Sequence, residues 1–123
     1  MILVDTSIWI DHLRAGDEQL SALLRDGKVL GHPFVTGELA LGNLVNRIAV
    51  IGALQELPQT QVATDTELLR FIGEKRLFGQ GIGYIDTHLL AAVLLTPGST
   101  LWTRDKRLLA VASRLGVASK VPD

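Results

Sequence analysis

Four acidic residues stand at positions that an ordinary surface carboxylate does not readily explain: Asp5, Glu38, Asp86 and Asp105. Asp5 directly follows an apolar run at residues 2–4. Asp105 likewise follows a strand-like run at residues 100–103, and a helix is predicted after each of the two acids. In open parallel sheets, ligands bind beyond the carboxyl ends of the strands. If these two strands are central and adjacent, both carboxylates project into one crevice.

Asp86 belongs to a strongly apolar helix that is predicted over residues 84–95. Leu89, Leu90 and Val93 follow it at spacings of three, four and seven residues, so they share its face of the helix. Burying an ionised carboxylate on such a face without a partner is very costly. We therefore expect a neighbouring group or ion to compensate this charge.

Glu38 repeats this pattern in a helix predicted over residues 33–44. Phe34 and Val35 precede it by about one turn, and Leu41 and Val45 follow on the same side. The spacing predicts that Glu38 also replaces an apolar residue on the side that faces the core.

Each acid taken singly also has an ordinary structural explanation. An aspartate between a strand and a helix is commonly an N-cap, which fits Asp5 and Asp105. A position at a helix mouth open to water fits Glu38 and Asp86. We favour one acidic cleft over four independent coincidences.

Converging carboxylates restrict the chemistry of such a cleft. Two of them ~5 Å apart repel each other by about 3 kcal/mol at an effective dielectric constant of about 20. The chain has no cysteine, and ligands that are all oxygen select Mg²⁺ or Mn²⁺. Such an ion suits phosphodiester cleavage, because it orients the phosphate, lowers the pKa of an attacking water and neutralises developing charge. A second ion in the same cluster would stabilise the leaving oxygen.

The elements that must position these acids alternate along the chain, which predicts an α/β domain with a mainly parallel sheet. Strands are predicted at residues 2–4, 29–30 and 100–103. Helices are predicted at residues 17–26, 33–44, 46–57, 64–78 and 84–95, with a last one after Asp105. Thr64 and Glu67 have the spacing of a capping box. We expect residues 1–123 to form a single domain.

Composition narrows the class of protein. The 12 basic and 13 acidic residues balance, so nucleic-acid contact would need a local basic patch. The apolar fraction of 47% predicts an exposed apolar surface, and such surfaces usually meet partners. We find neither a targeting segment nor an apolar run long enough for a membrane, so we expect a cytoplasmic protein with no membrane contact.

Four segments together resemble the PIN-domain nucleases, and the resemblance is strongest to VapC toxins of bacterial toxin–antitoxin pairs. They are VDTSIWID at 4–11, GELALGN at 37–43, GIGYIDTHLL at 81–90 and LWTRDKRL at 101–108. The resemblance runs over nearly the whole chain, in the right order. It implies a three-layer α/β/α fold that cleaves RNA with Mg²⁺ or Mn²⁺.

The same resemblance implies roles for the acids and for partners. Asp5 and Asp86 would hold the metal most directly, and Glu38 would activate the water or hold a second ion. Asp105 matches the least constant acid of the family, so its role is less defined. A cognate antitoxin and a homodimer are the partners that the resemblance implies.

Side chains beside the acids have two explanations each. Thr6, Ser7 and Thr103 either hydrogen-bond a carboxylate or a metal-bound water, or cap helices, and we favour capping. The basic residues around Asp105 either meet the RNA backbone or form a solvated helix start; they are Arg104, Lys106 and Arg107. The histidines and tryptophans are expected to be structural, namely His12, His32, His88, Trp9 and Trp102.

Two other functions compete with the nuclease. An aspartyl phosphotransferase or phosphatase would use Asp5 as its nucleophile, although many such enzymes have a second aspartate two residues later, where this chain has Ser7. The second alternative is a partner-binding α/β domain without catalytic activity, in which the four acids are present but catalyse no reaction.

Overall fold

Helices and short strands alternate along residues 1–121, the part of the chain that this computed structural model describes. Within this range the strands are β1 (Ile2–Val4), β2 (Val29–Leu30) and β3 (Thr100–Trp102). The helices are α1 (Thr6–Ala15), α2 (Glu18–Arg25), α3 (Pro33–Ala40), α4 (Arg47–Glu56), α5 (Asp65–Glu74), α6 (Tyr84–Leu95) and α7 (Lys106–Arg114). This order confirms the predicted α/β class.

The three strands form one parallel sheet in the order β2-β1-β3. Leu3 of β1 pairs with Leu30 on one side and with Leu101 on the other. Val4 is opposite Trp102, so β1 and β3 end together at the same edge of the sheet. The strands before Asp5 and Asp105 are therefore adjacent, as predicted, but only β1 is central, because β3 lies at the edge of the described sheet with a single isolated bridge from Leu101 to Ala118 beyond it.

Helices cover the sheet in a three-layer α/β/α arrangement, as the resemblance implied. α3 contacts both α1 and α4, while α5 packs on α6 and α6 contacts β3. The core between the layers takes fully buried side chains from successive elements, among them Leu3, Ile8, Leu89, Leu101 and Leu108. Removing such side chains from water is the main favourable term in folding.

Trp9 and Trp102 are also buried, with 5% and 2% of their surface exposed, which confirms the core position expected for both. α6 is the helix most enclosed by this core, since residues 87–93 are all buried. Leu89, Leu90 and Val93 lie inside as their spacing predicts. Within residues 1–121 no helix combines the length and the apolar character that crossing a bilayer requires.

The predicted capping box at the start of α5 is present. Thr64 Oγ1 accepts a hydrogen bond from the Glu67 amide at 3.1 Å, and Glu67 Oε1 accepts one from the Thr64 amide at 2.8 Å. α5 ends at Glu74, several residues before the predicted end. Residues 79–83 then form the glycine-containing loop that leads into α6.

α3 is shorter than predicted, and this corrects the expectation for Glu38. The helix ends at Ala40, so Leu41 and Val45 lie in the following turn and are 90% and 84% exposed. Glu38 itself is exposed to solvent rather than facing the core. The apolar spacing misled because it continues past the residue where the helical backbone stops.

Candidate active site

Asp5 lies where β1 ends and α1 begins, and both of its carboxylate oxygens are hydrogen-bonded. Oδ1 accepts from the Thr6 amide at 2.8 Å, as an N-cap does, and Oδ2 accepts from Thr103 Oγ1 at 2.8 Å. Only 7% of the residue is exposed. Burial raises the pKa of Asp5, the two hydrogen bonds oppose this shift, and the nearby charges of Glu38 and Asp105 add to it.

Asp105 lies three residues after the end of β3, at the start of α7. Its Oδ1 accepts from the amides of Arg107 at 2.9 Å and Leu108 at 3.1 Å, and so caps α7. The Asp105 amide donates to Thr103 Oγ1 at 3.1 Å. Thr103 therefore connects the strand-end acids through one hydroxyl, which donates to Asp5 and accepts from Asp105.

Asp86 lies in the first turn of α6 and is half-buried. Burial is the largest cause that raises the pKa of Asp86, to about 6, and the charge of Asp5 is the second. A hydrogen bond with the Gly83 backbone opposes the shift, while the charges of Asp105 and Glu38 add to it. The position matches the prediction of a carboxylate at the edge of an apolar helix face.

Glu38 belongs to α3 and is linked to the site by a hydrogen bond with the first residue of α1. Its Oε1 accepts a hydrogen bond from Thr6 Oγ1 at 2.7 Å, and Thr6 directly follows Asp5 in the chain. The Glu38 charge contributes to the raised pKa values of both Asp5 and Asp86. The carboxylate is thus exposed, yet held beside the two more buried acids.

The four predicted acids therefore come together at the carboxyl edge of the sheet. The pKa values of Asp5 and Asp86 are each raised by the charges of both Glu38 and Asp105. Within residues 1–121, however, no three histidine or acidic side chains are grouped closely enough to enclose a metal ion. Mg²⁺ usually keeps several waters and is bound by one or two carboxylates, so an open all-oxygen cluster remains a chemically suitable donor set.

Thr6 and Thr103 hydrogen-bond carboxylates and do not cap helices, so the capping role favoured from the sequence is wrong for both, because Asp5 and Asp105 are the caps. Thr6 Oγ1 donates to Glu38, and Thr103 Oγ1 donates to Asp5. N-cap and site positions also coincide, because Asp5 and Asp105 both cap helices while facing the other acids. The sequence signal that could have found Thr103 is its place at the end of a strand, two residues before a predicted site acid.

The basic residues around Asp105 separate into two groups. Arg104 pairs with Asp17 at 2.8 Å and with Asp11 at 3.4 Å, and its guanidinium lies 5.4 Å from the centre of the Trp102 ring. Lys106 and Arg107 instead line a groove along α7, together with Arg114.

Two predicted structural histidines form a core cluster with aromatic rings. His32 and His88 are 0% and 1% exposed, and the Phe34 ring lies 5.2 Å from the first and 4.6 Å from the second. Burial lowers the pKa of His32 to about 4 and also lowers that of His88. His32 Nδ1 accepts from the Phe34 amide at 3.0 Å, which caps α3 and helps to position the helix that carries Glu38.

No protein-family model matches this chain. Two relatives named "Ribonuclease VapC32" are similar to it, one from Mycobacterium tuberculosis strain CDC 1551 / Oshkosh and one from strain ATCC 25618 / H37Rv. Each is 51% identical over 118 residues, which span 96% of this chain and 95% of the relative.

Proposed function

Because this chain belongs to the VapC family of PIN-domain ribonuclease toxins, we propose that it is an endoribonuclease whose acidic site uses Mg²⁺ or Mn²⁺. The site comprises Asp5, Glu38, Asp86 and Asp105. The observation that carries the metal dependence is the convergence of four carboxylates at one edge of the sheet, where burial first and the neighbouring negative charges second raise the pKa values of Asp5 and Asp86. Carboxylates that repel one another in a partly buried pocket are compensated by a bound cation.

Asp5 and Asp86 are the residues that would hold the ion. Asp5 is fixed in orientation by hydrogen bonds to both oxygens, and Asp86, on the first turn of α6, is near enough for the Asp5 charge to raise its pKa. The bound ion would supply Lewis acidity, lowering the pKa of a coordinated water and neutralising charge on the scissile phosphate. Binding requires both carboxylates to be ionised, so it competes with the proton that burial favours on Asp86.

Glu38 is suited to take the proton from the attacking water. Its carboxylate is exposed, and Thr6 holds it by one hydrogen bond at 2.7 Å, so the group is oriented while remaining open to solvent and substrate. Asp105 contributes negative charge to the cluster, and its backbone amide supports Thr103 and through it Asp5. We therefore assign Glu38 to proton transfer and Asp105 to supporting the metal-binding acids.

Two partners belong to the proposal, a cognate antitoxin and a second copy of the chain. Support comes from a strip of exposed apolar side chains around the start of α4, where Leu41, Val45 and Ile48 are 90%, 84% and 90% exposed. Large exposed apolar groups that lie close together commonly mark protein–protein contacts. Sedimentation of the chain alone, and then with the product of the neighbouring reading frame, tests the two partners separately.

RNA cleavage with controlled metal content tests the proposed function. The purified chain is incubated with a mixed-sequence RNA in Mg²⁺, Mn²⁺ or EDTA, beside the variants D86N and D26N. Asp26 is an exposed acid at the end of α2, beside the amino end of β1, and serves as the matched control. We expect cleavage only with a divalent ion, a loss of about 100-fold or more in D86N, and no change in D26N. Cleavage that persists in EDTA, or that D86N retains, would refute the metal site.

A further inference from the structure

A basic groove runs along α7 beside the acidic site. It has a volume of about 360 Å³ and is lined by Gln80, Lys106, Arg107, Ala110, Val111 and Arg114. Three of these side chains are cations, one is an amide and none is acidic, although the chain as a whole has a net charge of −1. We propose that this groove, which we call the basic groove, binds the phosphodiester backbone of the RNA strand next to the cleavage point. The proposal rests on the proposed ribonuclease function of the neighbouring acids.

The basic groove and the acidic site meet at the start of α7. Asp105 caps this helix, and Lys106 and Arg107 are the next two residues. The Arg107 amide donates to Asp105 Oδ1 at 2.9 Å, so the backbone of a groove residue is bonded directly to a site acid. A strand whose scissile phosphate lies at the acids can therefore continue along α7 into the groove.

The Arg107 side chain is seated on the loop at residues 79–83, against Gly81. A Cβ built at Gly81 would lie 2.7 Å from Arg107 Nη1 and 2.9 Å from its Cδ, both far inside contact distance. The end of the Arg107 side chain occupies the space that a side chain at position 81 would need, and the φ of +77° favours glycine there as well. A larger residue at position 81 would therefore displace the exposed guanidinium from this place in the groove.

The charge of the basic groove is not neutralised within the protein. Lys106, Arg107 and Arg114 form no ion pair with any other residue in the range 1–121, whereas Arg104 pairs with Asp11 and Asp17. Arg114 is positioned by a hydrogen bond from Nη1 to the Lys75 carbonyl oxygen at 3.1 Å, which leaves its positive charge uncompensated. Unpaired cations along one surface attract a polyanion and release its counterions.

The length of the groove suits a nucleic-acid strand rather than a single anion. Arg107 and Arg114 are seven residues apart, two turns on the same side of α7, which is about 10 Å along the helix axis. Successive phosphates of a strand are closer than this, so the groove can contact more than one of them.

Binding, measured separately from cleavage, tests the basic groove. The probe is a fluorescein-labelled, mixed-sequence, single-stranded RNA, and anisotropy is recorded at several salt concentrations in the D86N background with EDTA present. We compare R107Q with R25Q, because Arg25 is an exposed cation at the end of α2, beside the amino end of β1, and the two changes alter net charge equally. In R107Q we expect about fivefold weaker binding near 0.1 M salt and a salt slope smaller by about 0.7, as for one lost phosphate contact. R25Q should keep the affinity and the slope of its parent.

Each outcome either supports or overturns the proposal. Equal affinity losses in R107Q and R25Q would show a dependence on net charge alone and would overturn it. If R107Q melts at a lower temperature than its parent, K106Q carries the same test, because Lys106 lies in the groove without the Gly81 contact. Poly-L-glutamate is the competing ligand. If it binds more tightly than the RNA and its affinity falls in R107Q, the groove binds an acidic protein segment and the proposal is overturned.

The two proposals fail in different ways. A chain that cleaves RNA with Mg²⁺ while R107Q and K106Q bind RNA normally would refute the basic groove and leave the metal site intact. A chain that never cleaves under any metal, while R107Q still lowers RNA affinity, would refute the catalytic site and leave the groove as an RNA-binding surface.

Discussion

The hydroxyl of Thr103 donates a 2.8 Å hydrogen bond to Oδ2 of Asp5, although 98 positions separate the two residues in the chain. The bond is buried and joins the carboxyl ends of β3 and β1. The same hydroxyl oxygen accepts from the Asp105 amide at 3.1 Å. The Thr103 side chain thus orients the Asp5 carboxylate and links it to the backbone of Asp105.

Replacing Thr103 should therefore change the titration of Asp5. T103V keeps the size of the side chain but leaves a buried carboxylate oxygen without its donor, which should cost about 1–3 kcal/mol of stability. The pKa of Asp5 should rise further, since the lost bond lowers it. T103S keeps the hydroxyl and loses only a methyl group, so it should leave that pKa unchanged. Carbon NMR of the Asp5 carboxyl across pH is the measurement, and equal pKa values in the two variants would contradict the account.

The pH dependence of stability in the metal-free protein should carry the signature of Asp86. Its pKa is raised from 3.8 to about 6 by folding, so the folded state binds more protons than the unfolded state between these values. The contribution of Asp86 to the free energy of unfolding is complete below its unfolded pKa of 3.8, and it is lost as pH rises through the folded pKa of about 6.

D86N cannot titrate in this way, so its stability relative to the unmodified chain should increase between about pH 4 and about pH 7. Urea unfolding in EDTA at several pH values measures the difference, with D26N as the exposed control. A D86N variant that is less stable at neutral pH than at acid pH, relative to the unmodified chain, would show that Asp86 is a structural acid.

Arg104 should affect stability with the opposite pH dependence. Its hydrogen bond is the largest cause that lowers the pKa of Asp17, and the Leu20 amide at 2.9 Å is the second. An acid with a lowered pKa stabilises the fold above its unfolded pKa, and that contribution is lost as pH falls through the folded pKa. R104Q should cost about 0.5–1 kcal/mol at neutral pH, in the range of partly exposed ion pairs, and less in acid. Unfolding midpoints at both pH values give the answer, and a cost that grows in acid would be inconsistent with the pairing.

Gly81 and Gly98 offer a matched pair for the seating of Arg107. Both glycines have positive φ values, +77° and +75°, but a Cβ would meet Arg107 at Gly81 and nothing within 4 Å at Gly98. G81A and G98A should each lose about 1 kcal/mol of stability, because alanine is strained at a positive φ. We expect no larger loss in G81A, since the end of the Arg107 side chain can move away from the added Cβ. Only G81A should weaken RNA binding. Thermal melting and anisotropy on both variants check this, and equal RNA affinities would mean that the seat on the loop has no role.

Local signals in the sequence were enough to predict the elements and three of the site positions. The capping box at Thr64 marked the start of α5, and the strand-to-helix transitions at Asp5 and Asp105 marked the edge of a parallel sheet. Parallel pairing of the two strands brings those acids together, and the apolar face of α6 places Asp86 at the same edge.

Interactions between distant parts of the chain were the part that sequence patterns missed. The exposure of Glu38 depends on where α3 stops, and the residues after Ala40 remain apolar, so periodicity gave no sign of the helix end. The Thr6 bond to Glu38 and the pairing of Arg104 with Asp17 join elements whose relative placement is set by packing of the whole core. Propensity and spacing report on neighbours along the chain and carry no information about such contacts.

If the acids at the sheet edge form a divalent-cation site, a crystal of the chain grown with Mn²⁺ should show it in anomalous scattering at the manganese edge. We expect a manganese peak bound by the carboxylates of Asp5 and Asp86, and its loss from crystals of D86N. A well-ordered site with no manganese between these two residues, or manganese held only elsewhere on the molecule, would contradict it.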